Sequence, residues 1–86
     1  MATSQQLGRT EADYDVRLAE RVREWERRHP DEAEVLRADV RRQMGFHEPP
    51  TSRISLLAIE YAFRESVRER HKSWPTKRQF LGGDDA

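Results

Sequence analysis

Four prolines, at positions 30, 49, 50 and 75, divide the chain into segments of helical length. Proline lacks a backbone N–H, clashes with the preceding helical turn and drives the residue before it out of αR geometry. No helix therefore runs on through any of these points. Inside each segment the apolar residues recur every three or four positions, and nothing alternates as a strand would. The reading is all-α: a small three-helix bundle with helices at about 10–29, 31–44 and 52–73. These form one domain over 10–74, with short flexible tails at 1–9 and 75–86.

The first segment carries Tyr14, Leu18, Val22, Trp25 and His29. At ~100° per residue these five fall within about 80° of arc, which makes one buried stripe. Thr10 with Asp13 three residues on approximates a capping box. Asp13–Arg17, Glu20–Arg23 and Glu24–Arg28 have the spacing of helical ion pairs. In the second segment Asp31 is the expected cap, and Ala33, Leu36, Val40 and Met44 form the stripe. Gly45 suits the position just past a helix end, where left-handed backbone is common. Pro49-Pro50 makes the connector stiff and extended.

The third helix, opened by Thr51 or Ser52, has two apolar faces. With Ile54 at 0°, Ile54, Leu57, Ala58, Tyr61 and Ala62 lie between about 300° and 80°. Leu56, Ile59, Phe63, Val67 and Trp74 lie between about 140° and 220° on the same ruler. The second face runs the whole length and completes a triangular core with the other two stripes, with Trp25, Phe63 and Trp74 as its bulky fillers. The first face stops after Ala62. Either it is covered by the chain's own helices or tail, or it is a seam for another molecule.

A second molecule is a natural remedy for a chain this small. Eighty-six residues bury only about 60% of the unfolded surface, so stability is marginal without disulfides, a metal or a partner. There is no cysteine, and three scattered histidines do not make a structural zinc site. No cofactor or metal is expected. No apolar run approaches the ~20 residues that span a bilayer, and the first residues lack a signal pattern. These features point to a cytoplasmic protein with no membrane partner.

Catalysis finds no support in the sequence. His29, His47 and His71 are the acid–base candidates, and none has a nucleophile or carboxylate at a spacing that would make a site. Gly82-Gly83 precedes no helix and is no phosphate loop. The expectation is a non-enzymatic protein–protein interaction module, a homodimer or an accessory or regulatory subunit of a larger assembly. Its contact residues would be Ile54, Leu57, Ala58, Tyr61 and Ala62, with Trp74, Phe80 and Leu81 as a clamp from the C-terminal tail.

The alternative is a nucleic-acid-binding accessory protein. The net charge is zero, but residues 1–34 hold nine acids and six arginines, so the rest of the chain is basic. Arg64, Arg68, Arg70, Lys72, Lys77 and Arg78 gather beside aromatic residues, a combination that suits phosphates and stacked bases. A helix-turn-helix is disfavoured. The connector is longer than that motif's 3–4 residues, and the third helix turns apolar just after Arg53 and Ser55, where base-reading side chains belong.

Overall fold

The computed structural model describes residues 10–82. The tail expected over 1–9, and the end of the C-terminal tail at 83–86, lie outside the described residues. Helix α1 spans Glu11–Arg28. It begins where Thr10 Oγ1 accepts from the Asp13 amide at 3.2 Å while Asp13 Oδ2 accepts from the Thr10 amide at 3.0 Å. This capping box satisfies two of the free N–H groups at the helix start. It also occupies Asp13, which the spacing had offered to Arg17. Glu24 does take Arg28, at 3.3 Å, and shares itself with Arg27.

Helix α2 spans Pro30–Gln43 and starts one residue earlier than expected. Pro30 is its first helical residue, and Asp31 is not the cap. Proline is well placed there, because its fixed φ suits a helix and the N–H it lacks would have no helical partner. His29 is at once the last cap of α1 and the first of α2, with φ −133° and ψ 61°. Its N–H donates to the Trp25 carbonyl and its own carbonyl accepts from Ala33, each at 2.9 Å. Asp31 and Glu32 face the positive end of the α2 dipole.

Gly45 closes α2 with φ +96°. The Phe46 amide reaches back to the Arg41 carbonyl at 3.0 Å and the Gly45 amide to Arg42 at 2.9 Å. This is the six-to-one, five-to-two pattern of a Schellman cap. After the proline connector, Ser52 Oγ accepts from the Ser55 amide and opens α3, Arg53–Arg70.

Helix α3 ends short of the expected Ser73, and His71 supplies the reason. Its Nδ1 lies 2.8 Å from the Val67 carbonyl, so the ring donates to the acceptor that the next helical amide would use. The same imidazole stacks on Trp74, with centroids 4.1 Å apart and planes 9° apart. Trp74 therefore lies beyond the helix, not on its apolar track. Past Pro75 a further single turn, α4 (Lys77–Phe80), forms under its own capping box between Thr76 and Gln79.

The core is the meeting of three stripes. Tyr14, Leu18 and Val22 come from α1, Ala33, Leu36 and Val40 from α2, and Ile59, Phe63 and Val67 from α3. Phe63 and Val67 have no solvent contact. Helix α3 packs on both α1 and α2, most extensively on α2, and α4 rests on α1. Trp25 and Trp74 flank this cluster, half-buried, and do not fill its centre. Met44 projects past the end of the α2 contact and is exposed.

Candidate interaction surface

Because α1 and α2 both lie on the Ile59–Phe63–Val67 side of α3, no helix covers the opposite side among the described residues. Ile54 is 80% exposed, Leu57 50% and Tyr61 51%. These three stand at i, i+3 and i+7, one face of a helix. Ala58 lies among them, half-buried. Ala62, at the edge of the set, packs against the core. The two faces inferred from the periodicity are therefore physically distinct, and the shorter one is open among the described residues.

Charged side chains frame the patch and are held in place. Arg64 lies 3.9 Å from Glu60 and sets its guanidinium 5.5 Å from the centre of the Tyr61 ring. Glu60 in turn accepts from Arg37 of α2 at 3.1 Å, and Arg37 also donates to Glu26 of α1 at 2.7 Å. One guanidinium thus joins three helices. Partial burial works against its charge, but the hydrogen bonds to Glu26 and then Glu60 outweigh that and raise its pKa. At the other edge, the Tyr14 hydroxyl donates to Glu65 at 2.8 Å. Burial first, then the Glu65 bond and its negative charge, push the phenol pKa well above its ordinary value.

The remaining candidate residues are dispersed. Trp74 is stacked on His71, and Phe80 lies 5.7 Å from Tyr14 and packs on the core. Leu81, half-buried, caps α4. The rings of Trp74 and Phe80 are thus engaged within the molecule. Of the basic set, Arg64 is held by Glu60, Arg68 by Glu65 at 3.0 Å, and Lys77 approaches Glu11 at 3.9 Å. Arg70, Lys72 and Arg78 are exposed and have no carboxylate partner among the described residues.

Two features have no counterpart in the sequence reading. Leu56 projects to the core side of α3 yet is 48% exposed, because it sits on the first turn, beyond the cover that buries Ile59. Helix α4 was signalled by Thr76-Lys77-Arg78-Gln79, which has the Ser/Thr-x-x-Glu/Gln form of a capping box. Among the described residues no group of three His, Asp or Glu side chains converges as a metal site, and no helix is long and apolar enough to cross a membrane. Comparison with protein-family models, with curated proteins and with solved structures yields no match.

Proposed function

We propose that this protein is a non-enzymatic helical interaction module that self-associates through the open face of α3. The observation that carries the reading is the exposure of Ile54, Leu57 and Tyr61 on one side of a helix whose other side buries Ile59, Phe63 and Val67. A twofold axis suits this patch. In an antiparallel pairing centred between Leu57 and Ala58, Ile54 of one copy meets Tyr61 of the other, and Leu57 packs over the small Ala58. Such a contact is self-complementary, as a twofold interface must be.

The size of the patch sets the strength. Stable interfaces bury about 800 Å2 on each partner, and three turns of one helix face supply less than that. The dimer is therefore weak and concentration-dependent, with a dissociation constant on the order of micromolar or above. Phosphate binding by the 64–78 segment is the lesser reading, since Arg64, Arg68 and Lys77 already have carboxylate neighbours.

Light scattering across a concentration series tests the proposal, on the wild type and on Leu57→Glu. The wild type is expected to gain mass toward a dimer as concentration rises, and the variant to stay monomeric with unchanged helical circular dichroism. A wild type that remains a monomer up to about 1 mM would refute it.

A further inference from the structure

A groove of about 630 Å3 opens where the C-terminal half of α1, the middle of α2, the proline connector and the first turns of α3 meet. On α3 it is reached by Leu56 and Ile59, which project about 140–200° round the helix from Ile54. It is thus separate from the patch assigned to self-association. Its apolar lining comes from Leu56, Ile59, Ala38 and the prolines at 30, 49 and 50. Proline rings fixed in a stiff connector keep this wall in place without help from a ligand. The volume falls within the ~300–1,000 Å3 of small-molecule sites.

The charge around the groove is mixed and leans positive. Four arginines line it, against the carboxylates of Glu26 and Glu34. Arg37 is occupied by Glu26 and Glu60, and Arg27 by Glu24. Arg23 and Arg41 have no carboxylate partner among the described residues, and Glu34 has no cation partner there, which leaves two free guanidiniums against one free carboxylate. An apolar trough edged by two unengaged guanidiniums matches a ligand with an oily body and an anionic end. Guanidinium binds a carboxylate through two parallel hydrogen bonds, which fixes orientation as well as charge.

We propose that this groove binds an amphipathic organic anion, its apolar body lying on Leu56, Ile59 and the prolines and its carboxylate reaching Arg23 or Arg41. Decanoate is a suitable probe, titrated below micelle formation into the full 15N-labelled chain and followed by amide shifts. Saturable shifts at Ala38, Arg41, Leu56 and Ile59 are expected. Decyltrimethylammonium, with the same body and the opposite charge, is expected to bind roughly tenfold more weakly or worse. Arg23→Gln with Arg41→Gln, both surface changes, is expected to cost decanoate roughly tenfold, and Ala38→Trp to block it by filling the trough.

Equal binding of the two amphiphiles, or saturable shifts confined to Ile54, Leu57 and Tyr61, would overturn the assignment. So would groove resonances that move with protein concentration alone, which would give the trough to a second copy. Saturation by a synthetic acidic amphipathic helix with no response to decanoate would give it to a protein partner and would equally refute a small-anion site.

Discussion

The guanidinium of Arg37 stands 4.0 Å from the centre of the Phe63 ring, the most enclosed large side chain of the molecule. It shields that ring from water while donating to Glu26 on α1 and Glu60 on α3. The side chains in this cluster are each about a third exposed, so water screens the ion pairs and their worth is discounted accordingly. Arg37→Ala is expected to cost about 1–2 kcal/mol, from the lost cation–π contact, Glu26 left unpaired and Glu60 left with Arg64 alone. Arg37→Lys keeps the charge but not the planar fork, and should recover less than half of that loss. Urea denaturation of the three proteins measures both differences.

Tyr14 ties α1 to α3 through its hydroxyl. Tyr14→Phe is expected to lower stability by about 1–2 kcal/mol near neutral pH, since the bond runs to a charged acceptor. The pH dependence has a definite sign. Folding raises the phenol pKa, so the unfolded chain releases this proton first. The stabilisation is complete below the unfolded value of about 10 and declines as pH rises beyond it. The gap between wild type and Tyr14→Phe should therefore hold steady up to about pH 9 and narrow as pH rises past about 10, as read from urea midpoints.

Gly45→Ala tests the α2 cap. The backbone there is left-handed at φ +96°, and an added Cβ would meet nothing within 4 Å. The cost is conformational only, about 1–2 kcal/mol, with no repacking. Gly45→Asn should cost less, because asparagine tolerates this region. A thermal melt of each variant is sufficient, and an unchanged midpoint for Gly45→Ala would show that the cap is formed differently.

Thr76→Val removes the box that holds α4. The expected effect is local, because α4 adds only Phe80 to the flank of the core. Hydrogen exchange should accelerate at the Phe80 and Leu81 amides, which donate into this turn, while Phe63 keeps its protection. Equal loss of protection at Phe63 would mean that α4 belongs to the global folding unit.

Much of the fold was legible because it is periodic or local. Tyr14, Leu18 and Val22 of α1, Ala33, Leu36 and Val40 of α2 and the buried Ile59–Phe63–Val67 row follow from helical spacing alone, whereas His29 and Met44, at the ends of the same projected stripes, are exposed. Thr10 and Gly45 follow from the chemistry of helix ends. The two-sided character of α3 was equally visible in Ile54, Leu57 and Tyr61. What the pattern missed depends on position along the axis or on contacts between distant residues. A helical projection gives the angle of Leu56 but not whether a neighbour reaches its level. It extends α3 to Ser73 and places Trp74 on its apolar track, because it ignores the side-chain bond from His71 to Val67. Arg37 meets Glu26 and Glu60 across three helices, and no spacing rule joins residues so far apart. The groove is a product of the same kind of assembly, drawing its walls from four segments.

The junction at His29 has a consequence for how this chain can vary. One residue serves as the end of α1 and the start of α2, so nothing there can absorb a change in length. A single inserted amino acid between Arg28 and Pro30 would rotate α2 by about 100° about its axis. That turn would carry Ala33, Leu36 and Val40 out toward water and bring charged positions inward. The segment from Gly45 to Ser52 lies outside any helix, so a residue inserted ahead of its prolines does not set the rotation of α3. Random insertion libraries should thus recover folded proteins at the second joint and almost none at the first.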